Sequence, residues 1–191
     1  AKVLHNRAVE MDKRNSVKLE VLSSFQNHPG TKVREVTMEQ KSISSVARDA
    51  DVAAIRVTGL KTSEGKTSRL FSLLADKKIN VDMVFLQEGE GTSEVCFTVA
   101  QNNTSTVVEI LCEHQEELMF EGFQVEEGVC KVSVVGLGMS SSAGVAAGIF
   151  EALYKAGIPV KFITTSEIKV SILVNEEDGV KAAIAIHDLF F

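Results

Sequence analysis

The sequence predicts an α+β protein built from two ferredoxin-like βαββαβ units, with the first unit inserted in the second. Two observations lead to this prediction: an internal repeat that runs through most of the chain, and a second copy that lacks its final strand. The 191 residues allow one or two domains. A composition of 45% hydrophobic and 24% charged residues is typical of a globular protein.

The internal repeat matches short segments that occur in the same order in both copies. Segment 57–60 matches 134–137, and the next two matches are 70–74 with 149–153 and 79–81 with 158–160. Later in the chain, segment 92–94 matches 165–167, Val107 matches Val180, and His114 matches His187. Because the offset between matched positions changes only between elements, it indicates two copies of one fold with loops of different length.

Hydrophobic periodicity predicts all six elements of the first copy. Leu70, Phe71 and Leu74 have the spacing of one face of an amphipathic helix, and the flanking strands are bounded by polar turns. The predicted elements are strands at 53–60, 80–86, 93–99 and near 123–126, with helices at about 67–78 and 104–118. This order, with both helices on one face of an antiparallel sheet, is the split βαβ arrangement.

The second copy contains only five of the six elements. They are strands at 131–136, 158–163 and 168–174 and helices at 145–156 and 179–189. The missing strand would leave an open sheet edge, so another segment must supply it. Residues 42–47 alternate suitably, and we predict that they complete the second sheet. The predicted organisation is a leader at 1–40, formed by the tail of a preceding domain and a linker, a completing strand at 41–52, a first domain at 53–128 and a second domain at 129–191.

Composition and charge exclude several classes of function. The net charge of −6 and the lack of a Lys/Arg block argue against nucleic acid as a partner. No apolar run approaches the ~20 residues that a membrane span needs. Cys96, Cys112 and Cys130 are far apart and odd in number, which indicates reduced thiols in a cytoplasmic protein rather than disulfides or a metal site.

The sequence offers no convincing catalytic constellation. The glycine-containing loop at 136–144 lacks the third glycine of a dinucleotide-binding motif, which would fall at Ser141. The four histidines have no metal-ligand spacing, and the serines at 140–142 are interpreted as helix-capping residues. We therefore expect no catalytic residues, no metal site and no cofactor in this chain.

The repeat does provide a binding geometry. The loop that enters the first helix of each copy ends in backbone N–H groups, which favour a carboxylate. We expect Asp82, at the start of the next strand, to face this loop and to hold an ammonium group. Two alternatives remain, in which Asp82 only caps a turn or pairs with Lys78. The equivalent position of the second copy is Lys161, so the two copies are not equivalent sites.

Several motifs resemble the C-terminal regulatory region of aspartate kinase. They include Asn80-Val81-Asp82-Met83, Gly138-Met139-Ser140 and Thr164-Thr165-Ser166-Glu167-Ile168, and the resemblance covers essentially the whole chain. In that family the region holds tandem ACT domains, the first inserted in the second. The resemblance implies feedback inhibition by lysine, threonine or both, and a homodimer formed through the ACT domains. It also implies a kinase domain, outside this chain, that uses ATP and magnesium to phosphorylate aspartate.

The resemblance also implies an effector pocket. Its residues in this chain are Thr62, Gly65, Thr67, Asn80, Val81, Asp82 and Val160, with Met139, Ser141, Gly144, Thr165, Ser166 and Glu167 as the corresponding positions of the second copy. The chain departs from the family pattern at residues 62–65, Leu86, Pro159 and Lys161, which leaves the identity of the effector open. The alternatives are an ACT-type sensor of another biosynthetic enzyme and a small ferredoxin-like enzyme.

Overall fold

The computed structural model describes residues 4, 6–15, 17–25, 29–33, 43–62, 65–136 and 144–191. The chain divides into two units, Ala1–Gln40 and Lys41–Phe191. The described part of the first unit contains helix α1 (Asn6–Arg14) and an antiparallel pair of short strands, β1 (Leu19–Val21) and β2 (Thr31–Val33). The second unit contains the elements of both predicted copies.

The first copy forms a four-stranded antiparallel sheet in the order β5-β6-β4-β7. Its strands are β4 (Ala53–Lys61), β5 (Val81–Glu88), β6 (Thr92–Val99) and β7 (Gly122–Glu126), and its helices are α2 (Lys66–Asp76), α3 (Thr104–Glu113) and α4 (Gln115–Leu118). The predicted second helix is divided, because His114 leaves helical geometry with φ −109° and ψ 15°. We call this sheet with its helices the first domain.

The second copy takes its missing strand from the segment that precedes the first copy. The sheet has the order β3-β8-β10-β9, with strands β3 (Ser45–Asp49), β8 (Val129–Val135), β9 (Phe162–Thr165) and β10 (Lys169–Asn175) and helices α5 (Val145–Lys155) and α6 (Gly179–Phe190). β3 pairs antiparallel with β8, and Ser45 lies opposite Val135. The strand begins at Ser45, and the predicted start at Ser42 lies outside the described residues. This sheet with its helices is the second domain.

Burial corrects the alignment of the two copies in their later half. The buried residues Thr104, Val107 and Leu111 of α3 occupy the same helix positions as Gly179, Ala182 and Ile186 of α6. The predicted equivalence of Val107 with Val180 is wrong, because Val107 is fully buried and Val180 is 55% exposed. His114 and His187 are likewise not equivalent, since the alignment by burial places position 189 opposite 114.

Alternation along the strands gives each sheet a helix-covered face and a face toward the other domain. In β4, Ile55 and Val57 belong to the core under α2 and α3. A second core lies between the other sheet and the helices α5 and α6. Between the two sheets, Ala54 of β4 packs with Leu173 of β10 and, at the edge, with Phe162. The two domains therefore form a sandwich with the helices outside.

None of the helices in the described part of the chain combines the length and apolar character needed to cross a membrane.

Candidate effector site

Glycine precedes the first helix of each domain in a left-handed backbone conformation. Gly65 has φ +66° immediately before α2, and Gly144 has φ +102° immediately before α5. A Cβ atom at either position would meet nothing within 4 Å, so the backbone conformation and not crowding favours glycine there. Both glycines are among the predicted pocket residues, and both introduce 11-residue helices whose N-terminal N–H groups can donate hydrogen bonds to a carboxylate.

The two halves of the pocket predicted in the first domain lie at opposite ends of its sheet. Both β4 and β5 pair antiparallel with β6, so they run parallel to each other. Ala53 and Val81 both lie opposite Val99, whereas Lys61 lies opposite Thr92 at the other end. A strand the length of β5 spans roughly 25 Å, which separates the loop after Lys61 from the start of β5.

The prediction that Asp82 faces the loop before α2 within one domain is therefore wrong. The crossover through α2 returns the chain to the starting end of the sheet, so residues 80–82 follow the helix C-terminus and not its N-terminus. Thr62, Gly65 and Thr67 lie together at the loop end, while Asn80, Val81 and Asp82 lie together at the other end. Their role in binding an effector remains a prediction, but a single copy does not bring the two groups together.

Asp82 instead contacts two lysines of the second domain. The Nζ of Lys131 donates a hydrogen bond to Asp82 Oδ2 at 2.6 Å, and the Nζ of Lys169 donates to Oδ1 at 3.3 Å. Lys131 also pairs with Asp49 at 3.1 Å. Beside these groups lies a cavity of about 170 Å³ lined in part by Asn80.

The ionisation of Asp82 and Lys131 reflects this pairing. Burial favours a raised pKa for Asp82, but the hydrogen bond and charge of Lys131, together with Lys169, outweigh burial and lower the pKa. For Lys131, burial favours a lowered pKa, but the hydrogen bonds and charges of Asp82 and Asp49 raise it. Both side chains are therefore held in their charged forms.

In the second domain, the predicted residues also divide between the ends of the sheet. Thr165, Ser166 and Glu167 lie where β9 turns into β10, at the end of the sheet from which the loop after Gly136 leaves. Ser166 has a structural function there, because its Oγ accepts a hydrogen bond from the N–H of Lys169 at 3.1 Å. Val160 precedes β9 at the opposite end and packs against the second core. Met139 and Ser141 lie outside the described residues.

A larger cavity of about 440 Å³ lies between the two domains. Its wall combines apolar side chains such as Phe85 with ion pairs, one between Arg56 and Glu94 at 2.9 Å and another between Lys161 and Glu126. Sequence reasoning placed Val160 in the pocket but missed most of the other residues that line this space, and it also missed Lys131. The sequence signal that could have revealed Lys131 is its position in β8. It is the one charged residue of that strand, and both of its neighbours are buried.

The described residues contain no group of three or more His, Cys, Asp or Glu side chains arranged to hold a metal ion. Burial raises the pKa of the Cys96 and Cys130 thiols, which disfavours their reactive thiolate forms. His114 contacts Glu117 through Nδ1 at 2.7 Å, and His187 stacks on Phe191 at 4.8 Å between ring centroids.

Comparison with known proteins assigns the family. The sequence model of the ACT domain matches residues 132–190, which lie in the second domain. The crystal structure of the regulatory subunit of aspartate kinase from Thermus thermophilus, in a ligand-free form, has 30% sequence identity and a TM-score of 0.74, over 79% of this chain and 100% of that one. The chain is a regulatory ACT region of the aspartokinase family. We accordingly call its two domains ACT1 and ACT2.

Two further aspartokinases extend this comparison. Aspartokinase 2 of Bacillus subtilis is 39% identical over 192 residues, a match that covers 100% of this chain and 47% of the relative. The chain thus spans about half the length of the curated relatives that it matches. The crystal structure of E. coli aspartokinase III in complex with lysine and aspartate shares the fold, with a TM-score of 0.76 and 24% identity over 100% of this chain and 42% of that one.

Proposed function

We propose that this aspartokinase region senses end-product amino acids. It binds lysine, threonine or both, and the bound effector inhibits the phosphorylation of aspartate by ATP in a kinase domain or subunit that supplies the ATP and magnesium sites. A cytoplasmic location, predicted from the sequence, accompanies this function. The observation that carries the proposal is the pair of glycine-preceded helices, α2 and α5, at equivalent places in the two ACT domains.

The helix N-termini suit the one group that all free amino acids share. An α-carboxylate is favoured at a helix N-terminus because the first N–H groups have no partners within the helix and because the helix dipole is positive there. Gly65 and Gly144 place no side chain over this end of their helices. Each ACT domain therefore supplies a carboxylate position, and the selectivity for a side chain must come from other residues.

A second copy of the chain would complete the pocket. β5 and β9 are edge strands of their sheets, and they lie on the same side of the sandwich because Phe85 contacts Phe162 with ring centroids 6.0 Å apart. Along β5, Val84 is 43% exposed, and Phe85 and Leu86 are each 45% exposed. A row of apolar side chains on an open strand edge is a pairing surface. A two-fold partner that presents the same two edges would extend both sheets at once.

This arrangement would also bring the separated halves of the pocket together. If β5 of one copy pairs antiparallel with β9 of the other, the loop before α2 meets the start of the partner's β9, where Val160 lies. By the same symmetry, Gly144 and the N-terminus of α5 meet residues 80–82 of the other copy. Each effector would then be held by a helix N-terminus from one copy and by a strand start from the other.

Calorimetric titration of this chain with L-lysine, L-threonine and L-methionine tests the proposal. We expect saturable heat with lysine or threonine and less or none with methionine. D-Lysine is a matched control, because it carries the same charges with the wrong geometry at Cα. The absence of heat with all three L-amino acids would overturn the proposed function.

A further inference from the structure

Four charged side chains form an ion cluster between the two ACT domains. Asp49 and Lys131 lie on the neighbouring strands β3 and β8 of ACT2, and Lys169 lies at the start of β10. Asp82, on β5, is the one member of this cluster that belongs to ACT1. We call these four residues the interdomain ion cluster. It joins the predicted effector residue Asp82 directly to the other domain.

Lys131 is shared between two carboxylates. Its Nζ lies 2.6 Å from Asp82 Oδ2 and 3.1 Å from Asp49 Oδ2, and only 15% of its side chain is exposed. A lysine in this position can release Asp82 and remain paired with Asp49, so the charge of Lys131 would not be left alone in a partly buried place. Release of Asp82 is therefore less costly than the breaking of an isolated ion pair.

The ion cluster leaves no spare negative charge for another cation. Two carboxylates face two ammonium groups, so an effector ammonium that approaches Asp82 competes with the lysines there. The cavity of about 170 Å³ beside Asp82 provides a route for a small polar or cationic group, since it is lined by Asp51, Asn80 and Asn103 as well as by Lys131 itself. An ammonium entering this cavity would meet the same carboxylate that Lys131 holds.

We propose that Lys131 is a positioning residue of the effector site: it holds Asp82 in the effector-free protein, and it releases Asp82 and stays with Asp49 when the effector ammonium takes its place. The proposal rests on the proposed function, because it requires that an amino acid binds. Binding would then exchange a contact between ACT1 and ACT2 for a contact between ACT1 and the effector. The exchange couples occupancy of the site to the contact between the domains.

The exchange predicts opposite effects for two neighbouring substitutions. Lys131→Met removes the competitor for Asp82, so the effector should bind more tightly, by roughly two- to fivefold, which is what one partly exposed ion pair is worth. Asp49→Asn removes the alternative partner of Lys131, so Lys131 should hold Asp82 more firmly and the effector should bind more weakly. A purely structural role of the ion cluster would not shift affinity in opposite directions.

The test is calorimetry on the full chain with whichever of L-lysine and L-threonine the wild type binds. Lys131→Arg keeps the charge and should restore the affinity of the wild type. Lys155→Met is the control, because Lys155 forms an exposed ion pair with Glu151 within α5, makes no contact with Asp82 and should leave the affinity unchanged. Far-UV circular dichroism verifies the fold of each variant.

Each outcome supports or overturns the proposal. Tighter binding by Lys131→Met with weaker binding by Asp49→Asn supports it. Unchanged or weaker binding by a folded Lys131→Met variant overturns it, while saturable binding to the wild type would leave the proposed function standing. If Lys131→Met does not fold, Asp49→Asn decides alone, and unchanged affinity in that variant overturns the proposal. Absence of binding to the wild type would instead overturn the proposed function and this inference with it.

Discussion

Replacing Asp82 by asparagine removes the charge through which ACT1 joins the interdomain ion cluster. Asparagine has nearly the same size and can still accept one hydrogen bond, so the substitution changes the charge with little change in packing. It leaves Lys131 paired with Asp49 at 3.1 Å and deprives Lys169 of its contact with Asp82. The loss is therefore electrostatic and is confined to the contact between the domains.

The expected loss of stability is modest. A hydrogen bond to a charged group contributes about 1.5–3 kcal/mol when it is well shielded from water. The Asp82 side chain is 35% exposed, so solvent screening reduces the expected effect of Asp82→Asn to about 1 kcal/mol at neutral pH. Added salt should reduce it further.

The effect has a defined dependence on pH. The pKa of Asp82 is lower in the folded chain than in the unfolded chain, because Lys131 and Lys169 outweigh the effect of burial. Ionised Asp82 therefore stabilises the fold above the ordinary aspartate pKa of about 4, and this contribution is lost as the pH falls through the lower folded value. Lys131, whose pKa is raised, stays charged over this whole range.

Urea denaturation measures this effect directly. Because the chain has no tryptophan and one tyrosine, far-UV circular dichroism is the suitable signal. Wild type and variant are compared at the same protein concentration, at pH 7 and at pH 3, since association also stabilises a folded chain. The control is Glu151→Gln, which removes a carboxylate from an exposed pair with Lys155 on α5 and should destabilise less. Equal stability of wild type and Asp82→Asn at pH 7, or a difference that grows as the pH falls, would refute this reasoning.

Three further predictions concern the irregularity in β4, the strand edge and the effector. Gly59→Ala should lower the free energy of unfolding by at least ~1–2 kcal/mol, because Gly59 has φ +68° and its Cβ would lie 2.3 Å from Glu121 Cγ; an unchanged urea midpoint would contradict this. Val84→Lys, on the exposed edge of β5, should shift the chain toward monomer in sedimentation velocity without changing its circular dichroism, and an unaffected dimer would exclude this edge. Asp82→Ala should weaken effector binding in calorimetry by ~1.5–3 kcal/mol, and an unchanged affinity would show that Asp82 does not hold the ammonium group.

The nested fold could be predicted because it depends on local sequence patterns and on the observation that the second copy has one strand fewer than the first. Apolar spacing in α2 and α5 and alternation in β4 and β8 are visible within short windows of the sequence. The two copies were misaligned at their last helices because residues of the same type, such as Val107 and Val180, were matched. Burial decides the structural equivalence instead, and it pairs Val107 with Ala182.

The arrangement of the site was less accessible to prediction. The glycines before α2 and α5 could be found because a loop, a glycine and an amphipathic helix are adjacent in the sequence. The direction of β5 relative to the loop after β4 follows only from the pairing of both strands with β6, and it places Asp82 at the far end of the sheet. The partner of Asp82 is Lys131, on a distant strand of the other domain, rather than its sequence neighbour Lys78.

Sedimentation velocity in the presence and absence of L-lysine and L-threonine tests binding of an amino acid between two copies most directly. We expect the effector that gives heat in calorimetry to strengthen the association of the chain, because each pocket takes residues from both copies and ligand binding favours the complete site. We also expect the apparent affinity for that effector to rise with protein concentration. A chain that binds the effector as a monomer, with an affinity independent of protein concentration, would contradict the shared site.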